Sequence, residues 1–339
     1  MNGVLIIDKP SGLTSHDVVN RVRRILGQRS VGHLGTLDPM ATGVLPLVLG
    51  GYTRLAQFYT ASEKTYEGVI RFGFSTDTYD AEGEPTSNPQ SVDLTLDKLQ
   101  QLAAEFQGQI EQLPPPFSAK KIHGVPAYKL ARKHQEVELK PVQVEIKEFA
   151  ISAIEGDRAT FRARVASGTY MRSVAHDIGQ RLECGAHLAA LRRTTVAEFD
   201  ITQAHTLEEL ESASATKRDC HSDRSTVFPQ EKQCGAEEPA FARPLEDPDY
   251  RDAADAIESL LVHPRRLLPH LPSVTADELT AAHIRNGRPV NLSDLSRARQ
   301  VKVFFGQKEL LAVATRIAGT LFHPKIVFAT NAGAPAHQA

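Results

Sequence analysis

Residues Gly32 to Leu45 read GHLGTLDPMATGVL and set one carboxylate, Asp38, among three glycines and directly before a proline. Pro39 disfavours the α region for Asp38 and holds it extended or in a turn. Gly32, Gly35 and Gly43 permit positive φ and let another backbone or a large ligand come close, while Thr36 and Thr42 can bond the turning chain. A carboxylate presented at fixed aim suits nucleophilic attack, or stabilisation of charge at a breaking bond. The same residue types also make an ordinary turn. His33, five residues before Asp38, reads on its own as a solvated loop histidine.

Stepping outward, Val4 to Ile7 reads as a short buried strand, and Thr14 with Asp17 approximates a capping box opening a helix with Val18, Val19, Val22, Ile25 and Leu26 on one face. Lys9-Pro10 occupies the turn between them. Val44 to Leu49 is an apolar run interrupted by Pro46, which predicts a sheet edge or strand start. Tyr66, Gly68, Ile70, Phe72 and Phe74 alternate with Glu67, Val69, Arg71 and Gly73, the period of a strand with one apolar face. Tyr66 is therefore either core or a platform for an unstacked base. Thr76 to Gly83 reads as a polar turn carrying Asp77, Asp80 and Glu82, without the spacing of a calcium loop. Leu96 to Phe106 forms a helical stripe, Val142 to Ile154 and Thr160 to Val165 read as paired strands, and Met171, Val174, Ala175, Ile178 and Leu182 mark another helix. Arg172 falls beside that last stripe at the helix start, off the favourable dipole end, where a nearby anion would offset the cost.

At 339 residues the chain has room for a large core and a second domain. It offers no run of about 18 apolar residues to span a bilayer and no signal-peptide core, so a cytoplasmic location is expected. The three cysteines are scattered and never form a CxxC pair, which indicates neither a disulfide framework nor a zinc site. The formal net charge of −2 conceals an asymmetry: residues 211–258 hold twelve acidic and six basic side chains, a net of −6, so the remainder carries +4. Basic clusters occur at Arg21, Arg23, Arg24 and Arg29, at Lys120, Lys121, Lys129, Arg132 and Lys133, and at Arg192 and Arg193. Together they predict a phosphate-tracking surface. From Pro114 to Lys140, cations interleaved with Phe117, His123 and Tyr128 suggest a surface arm that grips RNA. Residues 211–256 are polar, acidic and aperiodic, which predicts a disordered insertion. The stretch from Glu278 to Ala329 reads as a short helix followed by short strands split by glycine, a small β domain.

The segment GHLGTLDPMATGVLPLVLG resembles the catalytic motif of the TruB family, the bacterial synthases that make pseudouridine at position 55 in the T loop of transfer RNA. GVLIIDKPSGLTSHDVVNRVRR, KTYEGVIRFGFSTDTYDAEG and SGTYMRSVAHDIGQ resemble that family's other motifs in order and spacing. The resemblance implies an α+β fold of pseudouridine-synthase type, a mixed, largely antiparallel sheet flanked by helices, followed by a small β-rich PUA-like RNA-binding domain. With it the chain divides into a catalytic domain over 1–210 that includes the gripping insertion at 114–140, and the PUA-like module with the end of the catalytic domain over 257–330, while the acidic insertion at 211–256 departs from the family pattern and the Ala-Gly-Pro tail over 331–339 is expected to fray.

It further implies Asp38 as nucleophile, Arg172 as its ion-pair partner, and Tyr66 as the residue that stacks on the uracil, with possible proton transfer. His33, Tyr170, Leu191, Lys9, Pro10, Lys120, Lys121, Arg132 and Lys133 are implied to bind substrate. An isomerisation needs neither redox cofactor nor phosphate donor, in keeping with the absence of GxGxxG and GxxxxGK[ST], so no cofactor and no metal are expected. The expected partner is the T stem-loop of transfer RNA, bound by a monomer with no obligatory protein partner and no membrane. A non-catalytic RNA-binding protein or folding chaperone is the alternative, and Asp38 argues against it because pure binding does not require a carboxylate facing a polyanion.

Overall fold

The computed structural model describes residues 1–118, 139–215, 255–292 and 298–328, with the backbone alone of 121–122 and 125–126. In chain order the strands are β1 (Gly3–Lys9), β2 (Val31–His33), β3 (Thr42–Leu49), β4 (Lys64–Phe72), β5 (Gly108–Gln112), β6 (Lys121–Ile122), β7 (Val125–Pro126), β8 (Val142–Glu155), β9 (Arg158–Val165), β10 (Ala186–Val196), β11 (Phe199–Asp200), β12 (Ser273–Ala276), β13 (Val290–Asn291), β14 (Gln300–Phe305), β15 (Glu309–Ala318) and β16 (Leu321–Val327). The helices used below are α1 (Ser15–Leu26), α2 (Ala56–Tyr59), α3 (Leu96–Glu105), α4 (Met171–Arg181), α5 (Leu207–Ala215) and α6 (Glu278–Arg285). Nine strands form one sheet in the order β1-β3-β10-β4-β9-β8-β5, with β2 on β3 and β11 on β10. Every pairing in it is antiparallel except β10 with β3. The second sheet, β12-β14-β15-β16-β13, is the small β-rich unit expected near the C-terminus. Among the described residues no helix is long and apolar enough to cross a membrane.

The unbroken apolar run of β1 is explained by burial on both of its faces. Leu5 and Ile7 pack with Val18, Val19 and Val22 of α1, whereas Val4 and Ile6 pack with Tyr52 and Tyr59 and with Phe304, Val313 and Phe328 of the C-terminal unit. The two sheets thus share a core. Helix α1 opens on the expected capping box, in which Thr14 Oγ1 accepts from Asp17 N–H and Asp17 accepts from Thr14 N–H, and closes on Gly27 at φ 61°.

Three expectations change. Pro46 stands inside the sheet, its register partner Ile6 on one side. Its carbonyl turns the other way and accepts from Leu34 N–H at 2.9 Å. In a strand the N–H and C=O of one residue point to the same side, so the donor that proline lacks would face the gap between β2 and β10, and β1 loses nothing. Next, the basic clusters are not free phosphate ligands throughout. Arg21 pairs with Glu211 at 2.8 Å, Arg192 with Asp8 at 2.7 Å, and Arg193 is fully buried. Lastly, Glu211 and its successors to Ala215 continue α5 instead of opening the acidic insertion, most of which, over 216–254, lies outside the described residues. The same holds for Lys120, Arg132, Lys133 and the side chain of Lys121.

Candidate active site

The Asp38 loop bridges β2 and β3 and is pinned by side chains whose donors end on its backbone. Lys9, the last residue of β1, is fully buried, and its Nζ donates to Pro10 O at 2.8 Å, Leu13 O at 2.6 Å and Pro39 O at 3.0 Å. Burial pulls its pKa down to about 8, against the attraction of Asp38. Ser15 Oγ accepts from Leu37 N–H at 2.8 Å and donates to Leu37 O at 3.1 Å, tying the loop to the start of α1. Arg193 of β10 donates through Nε to Val44 O at 2.8 Å, Nη1 to Thr36 O at 3.2 Å and Nη2 to Gly35 O at 3.0 Å. A Cβ at Gly43, whose φ is 102°, would stand 2.2 Å from Arg193 O, so only glycine lets β3 and β10 approach there. Lys9 thus supports the loop from below, and neither it nor Pro10 is among the residues that line the cavity.

Arg172, at the start of α4, is buried and reaches the loop from the opposite side. Its Nη2 donates to Asp38 Oδ1 at 3.1 Å, and Nε lies 2.9 Å from Asp38 Oδ2 as an ion contact whose N–H is not aligned for a hydrogen bond. Nη1 lies 3.3 Å from Asp80 Oδ2 and donates to Thr78 O at 3.2 Å, while Nη2 also donates to Phe117 O at 3.0 Å. The anion that offsets a cation at a helix start is thus a pair of carboxylates. Asp80 is buried and held by Thr78 Oγ1, 2.6 Å, and Glu82 N–H, 3.0 Å. It follows Tyr79, which adopts φ 65° and stacks on His176 with centroids 3.8 Å apart. By sequence alone this segment is an acidic turn. The missing signal was that one of its three carboxylates must leave the surface to meet Arg172.

Asp38 keeps 34% of its side chain exposed, against 5% for Arg172 and for Asp80. Burial raises its pKa above the ordinary 3.8, Arg172 pulls it back, and Asp80 adds to the rise. Its carboxylate opens into a cavity of about 400 Å³. Tyr66 and Leu191, 7% and 8% exposed on the adjacent strands β4 and β10, form one wall. Arg193 lies close enough to the Tyr66 phenol for the two to interact electrostatically, so the ring and the loop share one neighbour. Tyr170 lines the cavity as well, with its backbone clamped by Gln112, which accepts from Tyr170 N–H at 2.8 Å and donates to Tyr170 O at 3.1 Å. His33 is half-buried on the cavity, its Nδ1 accepting from Gly35 N–H at 3.3 Å. Burial, reinforced by Arg193, lowers its pKa and keeps the ring neutral. Asp38, Arg172, Tyr66, Leu191, Tyr170 and His33 are thereby gathered in one place from four separate segments. Lys64 and Tyr59 also line the cavity and were not anticipated.

The chain's residues 23–171 match the model of the TruB family pseudouridylate synthase N-terminal domain, and residues 172–233 match that of the tRNA pseudouridylate synthase B C-terminal domain. It is 46% identical over 330 residues to tRNA pseudouridine synthase B of Solibacter usitatus, covering 96% of this chain and 100% of that protein. It is 36% identical over 333 residues to tRNA pseudouridine synthase B of an Azoarcus species, covering 98% and 97%. Among solved structures, a chain of a Cbf5-Nop10-Gar1 complex superposes with a TM-score of 0.61 at 25% identity, over 94% of this chain and 79% of that one. A chain from an H/ACA RNP bound to a substrate RNA containing 2'-deoxyuridine shares the fold, with a TM-score of 0.62 at 24% identity, over 97% and 85%.

Proposed function

The chain belongs to the TruB family of pseudouridylate synthases, and from that premise we propose that its target is the T-loop uridine at position 55 and that Asp38 attacks it after the base is flipped into the 400 Å³ cavity. The enzyme is an isomerase that converts uridine to pseudouridine in transfer RNA. In that conversion the bond from ribose C1′ to N1 breaks, the base turns, and C1′ rejoins the base at C5. The C5 proton leaves and N1 gains one, so no atoms are gained or lost overall.

The observation that carries the assignment is the asymmetry of the Asp38–Arg172 pair. The arginine is buried with both terminal nitrogens hydrogen-bonded, whereas the carboxylate presents an exposed edge to the cavity. A raised pKa makes that oxygen more basic and more nucleophilic once ionised, and Arg172 keeps it ionised in a partly dry site. Extracting the base costs a few kcal/mol of unstacking and unpairing, on the order of 2–4. Tyr66 offers a ring for the base to stack on, Leu191 an apolar wall, and Tyr170 and His33 polar edges. The neutral imidazole suits insertion among bases better than a cation would. Tyr66 is also the group within the cavity suited to take or relay the C5 proton. The basic arm at 114–140 and the C-terminal unit are assigned to RNA binding, and the chain is read as working without an obligatory protein partner.

Asp38→Asn tests this directly. On a T stem-loop RNA, turnover measured by mass spectrometry after pseudouridine-specific labelling should fall by at least ~10³, while RNA affinity stays within a few-fold of wild type. Substantial residual turnover in the variant would remove Asp38 from the chemistry. Modification at a uridine outside the T loop would move the target.

A further inference from the structure

Lys64 lines the same cavity as Asp38 and has no part in the chemistry derived above. It opens β4 two residues before Tyr66, and the alternation of a strand places both side chains on one face. The side chain runs along the Asp38 loop: a Cβ at Gly35 would stand 3.5 Å from Lys64 Cε and 3.6 Å from Arg193 Nη1. Its Nζ donates to Ser62 O at 2.8 Å, and an ammonium has two further donors to place.

The electrostatic setting separates Lys64 from the other lysine of this region. Lys9 is buried but feels Asp38, Glu82 and Asp17. Lys64 is half-buried, and the charged group that acts on it is another cation, Arg193. Burial with Arg193 lowers its pKa to about 8, so at neutral pH it remains mostly charged without a counter-ion among the described residues. A half-desolvated ammonium beside a guanidinium is unfavourable in the free enzyme, and an anion entering the cavity relieves it. A uracil carbonyl could accept one N–H but would leave the charge uncompensated. A phosphodiester supplies both acceptors and charge.

We propose that Lys64 is a substrate-binding residue that takes a phosphate flanking the target uridine, placing that nucleotide's backbone while Tyr66, on the same face of β4, takes its base. This rests on the reading that the target nucleotide enters the Asp38 cavity. It differs from the general phosphate tracking expected of surface cations, because a single backbone position is singled out.

The experiment pairs Lys64→Met with T stem-loop RNAs in which the phosphate 5′ or 3′ of the target uridine is replaced, one at a time, by a neutral methylphosphonate. With wild-type enzyme, one of the two replacements should raise Kd and KM by ~10-fold, the scale of one charge-assisted contact. Lys64→Met should lose a similar factor on unmodified RNA, more in KM than in kcat, and lose nothing further on that methylphosphonate RNA. Lys64→Arg should recover part of the affinity. Equal losses by Lys64→Met on neutral and charged RNAs, or wild type indifferent to both replacements, would overturn the assignment. The wild-type measurement stands even if the variant misfolds. Wild type that does not modify the unmodified stem-loop at all would overturn the T-loop reading and this inference with it. Modification without the coupled loss would overturn this inference alone.

Discussion

Arg172 and Arg193 are both buried, and both reach the same loop, yet their partners differ in kind. Arg193 spends its donors on the carbonyls of Gly35, Thr36 and Val44. Those partners carry no charge, and burial pulls the pKa of this guanidinium down from its usual value. Arg172 faces two carboxylates, Asp38 and Asp80, along with the carbonyls of Thr78 and Phe117. Carbonyls cannot titrate, so Arg193 fixes a shape. Carboxylates can, so Arg172 controls a protonation state, and the difference separates the part of the site that holds geometry from the part suited to react.

The sharpest way to break this comparison is through turnover. Arg172→Met removes the cation that holds Asp38 down and should lower turnover at neutral pH by ~10³, the range expected when a partner of the reacting group is lost. Asp38 would then take up a proton, its pKa rising further, so the acid limb of the pH–rate profile should move to higher pH and part of the rate should return toward pH 9. A deficit that is the same at every pH would reduce Arg172 to a positioning role like that of Arg193.

Arg193→Met should act on stability instead. It orphans three buried carbonyls and leaves a cavity, and the free energy of unfolding in urea should drop by ~3 kcal/mol or more. Arg172→Met in the same titration should lose less at acid pH, where a protonated Asp38 no longer needs the cation. If the two variants exchange these behaviours, the division between shape and charge is wrong.

The smallest effect follows from the sign of the Asp38 shift. An acid whose pKa is raised on folding favours the folded state while protonated, and that contribution disappears as pH rises through the folded-state value, which lies above 3.8. Asp38→Asn keeps a neutral side chain at every pH. Its Tm relative to wild type should therefore increase between about pH 4 and pH 8, a stability gain in an inactive enzyme. A difference in Tm that shrinks over that range would mean that Arg172, not burial, dominates the carboxylate.

Much of the fold was legible because local rules and tertiary structure agree. The capping box at Thr14, the alternation from Tyr66 to Phe72 and the paired strands β8 and β9 all appear where periodicity put them. Arg192 and Arg193 show where legibility stops. They are adjacent, identical in type and part of one strand, yet one pairs with Asp8 while 42% exposed and the other is sealed beneath the loop. A strand's two faces are equivalent until something packs on them, and the polar HLAALRRTTV pattern does not say which face is covered. Pro46 failed in the opposite direction: its edge signal was sound chemistry, satisfied inside the sheet because its missing donor meets the gap beside β2.

By itself the sequence determined which residue could be the reactive carboxylate, because an Asp-Pro turn among glycines restricts the backbone wherever it lies, and that segments such as β1, β4, β8, β9, α1 and α4 would be strands and helices, because their periodicities are local; it did not mark β10. Tertiary structure alone decided that Asp38 would share Arg172 with Asp80, that Arg193 would be buried, and that Lys64 would face the cavity with no counter-charge among the described residues. Charge pairing and desolvation depend on distances between residues far apart in the chain, here 134 positions between Asp38 and Arg172, and no local pattern encodes such a distance.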